Sequence, residues 1–386
     1  MSATRHYHAP DGTFRKVLAP ERARREVAGW QAAARTLPVP RLLGAREVAD
    51  GCEIVYEDVF ASGRCTGVLA DCINDADRDP SRIPAVRGLV SQVCDGLLAA
   101  TEATGKVSRL DSCVPDLHAA RLVPGGRLDR WYTRPPRLAW VLGGQQVDLA
   151  DLASRTLVAG GRELGSGWPV ALPKLRSVLA EHTRWATAIT QGDVTEPNIT
   201  EPLCWLDFEH AGRNVLAADI ANFLWYLLGM GGWLVPAYQA DVYERTLRTP
   251  VPPVAVPAID HLRVTSRHVE IDYTWHVGPG RHAALGTLLR RLAGDLGAAL
   301  TPGGDGAASL RPFLAIRILG VISLRRMTGL DAVACLAKVA ELAHSKWTLP
   351  GWCATAPGVP PAASPDGCQP VLASATVLAD SSKGAA

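Results

Sequence analysis

Gln191-Gly192-Asp193-Val194-Thr195-Glu196-Pro197-Asn198, then Trp205-Leu206-Asp207-Phe208-Glu209, then Asp219, form the densest run of chemically unusual residues in the chain. Asp193 and Asn198 bracket a segment that Gly192 and Pro197 shape into a tight loop. Asp207 ends the apolar run 203–206, so its carboxylate is expected to emerge from a buried strand. Two oxygen donors, Asn198 and Asp207, suit a hard cation such as Mg²⁺. Asp193 stands beside them as a carboxylate able to accept a hydroxyl proton. Phosphoryl transfer consists mostly of positioning and charge neutralisation, and these residues are its parts.

The N-terminal region supplies the matching half. Ala9-Pro10-Asp11-Gly12 reads as the turn of a hairpin joining strands 5–8 and 13–18. Pro20 opens a helix to about residue 34, with Val27, Trp30, Ala33 and Ala34 on its expected apolar face. A second hairpin, 41–47 and 52–59, turns at Ala49-Asp50-Gly51. Phe14, Lys16 and Leu18 share one strand face, and no other lysine lies in the first hundred residues. Glu26 follows on the helix. A strand lysine held by a helix glutamate is how a nucleotide's phosphates are gripped, so Lys16 and Glu26 are expected to pair. Beyond the connector Ala61-Ser62-Gly63 the chain reads as largely helical, with helices at 83–104, 171–189, 217–228, 237–247, 281–300, 311–327 and 331–343. PVPPVAVP at 250–257 reads as a stiff linker. From 349 onward Pro, Ala, Ser and Gly dominate with almost no charge, as in a disordered tail.

These motifs resemble the aminoglycoside phosphotransferase-like family of the protein-kinase-like fold, relatives of choline and homoserine kinases. That family's catalytic loop reads His-Gly-Asp-x-x-x-x-Asn, matched here by Gln191-Gly192-Asp193 through Asn198. Its metal turn is matched by Leu206-Asp207-Phe208-Glu209-His210-Ala211-Gly212, ending in Asp219-Ile220-Ala221. The resemblance spans roughly residues 12–230. It implies a bilobal α+β fold with a reduced β-rich N-terminal lobe, 1–60, a mainly helical lobe, 61–348, and the tail, 349–386. It also implies an alcohol-group kinase using ATP or GTP with Mg²⁺. Asp193 would be the catalytic base, Asn198 and Asp207 the metal ligands, and Lys16 and Glu26 the phosphate grip. Glu57 to Val59 would form the hinge that reads the nucleotide base, with Gln191 and Asp219 as structural supports. The chain departs from the family in three places. Gln191 replaces the loop histidine, Asn214-Val215 replaces Gly-Asp and loosens the turn, and the family's first strand and phosphate-covering glycine loop are missing ahead of the 5–18 hairpin.

Composition bounds the rest. Forty basic and 38 acidic residues leave a charge of +2 over 386 residues, so no field for nucleic acid is built in. Hydrophobic residues at 47% and charged ones at 20% fit a packed core. No run of about 18 uncharged apolar residues is present, so no membrane span is expected, and MSATRHYHAPDG at the start holds no apolar h-region, so no secretory signal is expected. Nine cysteines without metal-site spacing read as reduced thiols of a cytoplasmic protein. The acceptor stays open between a small molecule, such as an antibiotic or biosynthetic intermediate, and Ser or Thr of a precursor peptide handled with a lyase partner. A degenerate, non-catalytic scaffold is the third alternative, and a protein partner completing the small lobe is a further expectation. His6 and His8 face one side of a strand, and without a third ligand they make no metal site. The aromatics of segment 222–243 and of the cluster Glu270, Asp272, Tyr273, Trp275 and His276 read singly as core residues of a helical lobe, and together as pointing to a neutral or apolar acceptor.

Overall fold

The computed structural model describes residues 5–113, 117–132, 139–165, 173, 175–179, 184–242, 257–301 and 305–357. The first hairpin closes as its turn residues dictate. Gly12 adopts φ +75°, and the Asp11 carboxylate accepts from Thr13 N at 3.1 Å. Strands β1 (Arg5–His8) and β2 (Thr13–Leu18) lead into helix α1 (Pro20–Ala33), which Pro20 initiates. Strands β3 (Leu42–Val48) and β4 (Gly51–Glu57) complete an antiparallel sheet of order β1-β2-β4-β3. Its register sets His6 opposite Lys16, and Lys16 opposite Ile54. All four residues of β1 are exposed.

Helix α1 is rotated from the expected orientation. It buries Ala23, Glu26, Gly29 and Ala33, while Val27 and Trp30 are only half-buried. Close approach to the other lobe decides this, because a Cβ on Gly29 would lie 2.1 Å from the Phe208 carbonyl oxygen. Trp30 sits at the rim and donates its Nε1–H to Pro40 O at 2.8 Å.

The second region begins with helix α2 (Leu69–Arg78), which the sequence reading missed, and helix α3 (Ile83–Thr104), placed as expected. Both pack on the helix Pro279–Leu292. That helix and Asp295–Leu300 replace the single helix expected over 281–300. Leu216–Trp225 continues as a π-helical stretch, Tyr226–Leu234, and packs on Gly306–Gly320. Gly329–Ala343 follows. Trp205, Trp225, Trp233, Phe223 and Phe313 are fully buried in this core. The helix expected over 237–247 lies mostly outside the described residues, with a short turn Val235–Tyr238 at its start.

Two strand systems correct the helical reading of this region. Arg184–Thr190 is a strand between Lys106–Arg109 and Gly212–Val215, not the end of a helix over 171–189. Thr187, Ala188 and Thr190 are all buried, so both faces of this strand are covered and its pattern does not alternate. A five-stranded sheet also joins Arg162–Gly165, Thr156–Ala159, His268–Val277, Pro257–Val264 and Ala356–Pro357. Trp275 is buried there against Trp233, and its Nε1–H donates to Leu228 O at 2.9 Å. The expected acceptor cluster around Glu270 is therefore one strand whose alternate residues enter the core. The packed chain also runs past 348, since Leu349, Trp352 and Cys353 are buried; residues 358–386 lie outside the described residues.

Three helical stretches, Pro80–Thr104, Leu216–Tyr238 and Gly306–Arg326, are long and apolar enough to cross a membrane, where none was expected. In the latter two, 94% and 72% of the apolar window is buried inside the protein, so packing consumes that surface. The eight described cysteines are free.

Candidate active site

The loop 191–198 is held on three sides. Gly192 adopts φ +84°, and a Cβ there would lie 2.1 Å from His210 O and 2.7 Å from Asn214 Nδ2. Only glycine lets the loop lie this close to the turn after Asp207. Gln191, fully buried, donates its amide to Leu206 O at 2.9 Å and to Asp207 O, and accepts from Asp193 N at 2.9 Å. One side chain thereby fixes the spacing between Asp193 and Asp207. From below, Leu216–Trp225 presents Asp219 and Asn222 on one face. Asp219 accepts from the Thr190 hydroxyl, and Asn222 donates to Asp193 Oδ1 at 2.8 Å. Burial, assisted by the Asp193 carboxylate and opposed by the Thr190 hydroxyl, pushes the Asp219 carboxyl up to about 7. Glu196 anchors the third side through a fully buried bidentate pair with Arg281, and Gly231 makes room for its carboxylate.

Facing the loop across a cleft is the small lobe's charge cluster. Lys16 Nζ lies 2.7 Å from Glu26 Oε1 and 2.8 Å from Asp207 Oδ1, and the Tyr56 hydroxyl donates to Glu26 at 3.1 Å. Burial pulls the Lys16 ammonium down, but Asp207 and Glu26 outweigh it and hold its pKa above the ordinary lysine value. Burial raises Glu26 despite Lys16, whereas at Asp207 the lysine wins over burial and the carboxyl is lowered. Asp207 is a non-glycine residue with φ +62°. Strained backbone of this kind persists where the surroundings over-determine it; here its carbonyl is held by Gln191 and its carboxylate by Lys16. Arg22 on α1 pairs with Glu209, tying the helix to the same turn. Asn214, in place of a glycine, donates to His210 O and Gly212 O at 3.1 and 3.2 Å. It closes the turn rather than loosening it.

The cleft is lined by Lys16, Glu26, Glu57, Val59, Asn198 and Asp207, which the structure thus brings together. Asn198 is oriented by its Nδ2–H, which donates to Asp193 O at 2.9 Å. The Glu57 side chain turns to Arg41 and Arg64, and its backbone N–H donates to Arg41 O at 2.9 Å. Val59 N–H has no partner among the described residues, and its carbonyl accepts from Cys65 N. Sequence reading missed the cleft's roof. His8 stacks near Phe14 and Phe60, and its Nδ1 lies 2.6 Å from Asp58, which also caps Phe60 N and Ala61 N. The alternation of His6 and His8 opposite Phe14 and Lys16 was the available signal. Asn222 and Arg317, whose Nη2 lies 3.6 Å from Asp193 Oδ1, were also missed, and no local motif marks either.

No family model matches the chain, and no curated protein matches it. Among solved structures, the chain is similar to aminoglycoside phosphotransferases and a glucosamine kinase. Aminoglycoside phosphotransferase APH(3'')-Id from Streptomyces rimosus is 17% identical over 63% of this chain and 84% of its own, with TM-score 0.32. The glucosamine kinase is 14% identical over 89% and 77%, with TM-score 0.40. A thermostable mutant of aminoglycoside phosphotransferase APH(4)-Ia is 16% identical over 83% and 95%, with TM-score 0.35. At these values the chemistry has to be read from the side chains themselves.

Proposed function

We propose that this chain is a kinase that transfers phosphate from ATP or GTP to a hydroxyl, with Asp193 as the base. The observation that carries this reading is the convergence of Lys16, Glu26 and Asp207 within 2.7–2.8 Å contacts, while Gln191 links Asp207 to Asp193. Lys16 holds phosphate oxygens, Glu26 keeps it aimed, and Val59 N–H reads the base edge. One carboxylate and one amide, Asp207 and Asn198, fit a Mg²⁺ that also takes oxygens from phosphate and water. That ion, when bound, supplies charge neutralisation between the phosphates. Asp193, oriented by Asn222, accepts the hydroxyl proton of the acceptor. The convergence of Lys16, Glu26, Asn198 and Asp207 on one cleft favours an enzyme over a scaffold. The exposed edge of β1 is where a protein partner would complete the lobe, and eight free thiols suit the reducing cytoplasm.

The test is calorimetric titration of ATP with and without Mg²⁺ on the chain and on Asp207→Ala. We expect Mg²⁺ to tighten ATP binding to the parent and to have no effect on the variant. An unchanged Mg²⁺ dependence would reduce Asp207 to a structural residue and remove the kinase reading's metal site.

A further inference from the structure

On the helical-lobe side of Asp193 lies a second charge cluster, whose one ion pair among the described residues is Arg317 Nη2 to Asp193 Oδ1 at 3.6 Å. His118, Arg121 and Arg317 are 5%, 6% and 4% exposed, from segments nearly two hundred residues apart. Arg121 lies over Gly320, where a Cβ would come within 3.1 Å of its Cδ, so it shares an end of the helix Gly306–Gly320 with Arg317. Arg127 joins them but is engaged, donating to Gly320 O at 3.0 Å. Nε and Nη1 of Arg121, Nε of Arg317 and both ring nitrogens of His118 are buried without a hydrogen-bond partner. Among the described residues, the carboxylate acting on the two arginines is Asp193, which Asn222 already holds. A guanidinium does not neutralise itself by losing a proton, and a buried charge without a partner is strongly unfavourable. Burial together with Arg317 and Arg121 depresses the His118 imidazole well below its ordinary value, leaving a neutral ring with one N–H to donate.

We infer that Arg121, Arg317 and His118 form an anion subsite beside Asp193, which takes a phosphate or carboxylate group carried by the acceptor. None of the three lines the cleft that holds Lys16, Glu26 and Asp207, so the subsite belongs to the acceptor and not to the nucleotide. The inference rests on the kinase reading for the word acceptor and for nothing else. It replaces the neutral or apolar acceptor expected from the aromatic segments with an anionic one, in which the reacting hydroxyl lies near the charged group. Arginine's planar fork suits both phosphate and carboxylate.

The experiment uses the full chain with saturating ADP and Mg²⁺, titrated calorimetrically with inorganic phosphate, and separately with acetate, at constant ionic strength. Phosphate or acetate is expected to bind with ADP present, and whichever binds more tightly names the acceptor's group. Arg121→Met and Arg317→Met should each weaken that binding about tenfold or more. Arg121→Lys serves as the second variant where methionine disturbs folding, with an intermediate loss expected. Absence of binding of both anions to the parent overturns the inference. So does binding that ADP abolishes, which would assign the arginines to the nucleotide phosphates, or binding that all three variants retain. None of these readouts depends on turnover, so a chain that binds phosphate here but transfers none would overturn the kinase reading alone.

Discussion

Asp193 stands between two charge systems built in opposite ways. Toward the small lobe, Lys16 pairs with both Glu26 and Asp207, and the loop's other anchor, Glu196 with Arg281, is a closed pair. Toward the helical lobe, Arg121, Arg317 and His118 present buried nitrogens with no partner. A cluster whose charges pair with one another keeps its geometry before a ligand arrives. An unbalanced one is complete only when something anionic arrives. The difference distinguishes the two sides more sharply than exposure does, since Glu196 and Arg317 are both buried.

The largest expected effect falls on the residue between the two systems. Asp193→Asn keeps the acceptor atom that Asn222 bonds but removes the proposed base, so phosphoryl transfer to an anionic hydroxyl acceptor should fall by about 10²–10⁴. Nucleotide affinity should stay within about threefold of the parent, because Asp193 does not line the nucleotide cleft. A variant that still turns over within about threefold of the parent would move the base elsewhere.

The next effect contrasts the two systems directly. Arg281→Met leaves the buried Glu196 carboxyl without its partner, which should cost about 3–5 kcal/mol in denaturant unfolding. Arg121→Met removes a charge that has no partner, and should leave the anion-free protein as stable as the parent or more so. Equal losses in both variants would erase the distinction between balanced and unbalanced clusters.

How much of this was legible beforehand follows from the range of each interaction. The first hairpin, α1 and β3–β4 were readable because Pro10-Asp11-Gly12, Pro20 and Asp50-Gly51 act on their immediate neighbours. Asp193, Asn198 and Asp207 were readable because their spacing is fixed within one loop and one turn. The strand Arg184–Thr190 was not, because its pattern is set by strands at Lys106–Arg109 and Gly212–Val215, far along the chain. His268–Val277 does alternate, with Val269, Ile271, Trp275 and Val277 inward, but its charged and aromatic residues read as a cluster. Arg121 and Arg317 carry no local signal at all. They acquire meaning only when packing removes them from water without providing a partner.

A smaller effect is expected in the pH dependence of stability. Asp219 titrates near 7 in the folded chain, against an ordinary 3.8. A raised acid means the folded state holds the proton longer than the unfolded one, so this residue's contribution falls as pH rises from about 4 to about 7 and then levels. Asp219→Asn keeps an oxygen for the Thr190 hydroxyl and removes the titration. Thermal melts should show the variant above the parent at pH 8, by on the order of 3 °C, with the gap closing toward pH 4. A parallel offset at both pH values would show that Asp219 does not titrate in this window.

The smallest effect tests the bridge that holds the balanced side together. Gln191 both donates, to the carbonyls of Leu206 and Asp207, and accepts, from Asp193 N. A neutral imidazole also offers one donor and one acceptor, so Gln191→His should preserve the link between the Asp193 and Asp207 backbones at a cost below about 1 kcal/mol. Gln191→Leu fills similar space but leaves the Asp193 N–H without its partner, which should cost about 1–3 kcal/mol. Nucleotide binding should follow the same order, because Asp207 is aimed into the cleft only while its carbonyl is held. Chemical unfolding of the two variants side by side decides the matter. A histidine variant as unstable as the leucine one would mean that the amide's reach, and not its pairing of donor with acceptor, sets the distance between Asp193 and Asp207.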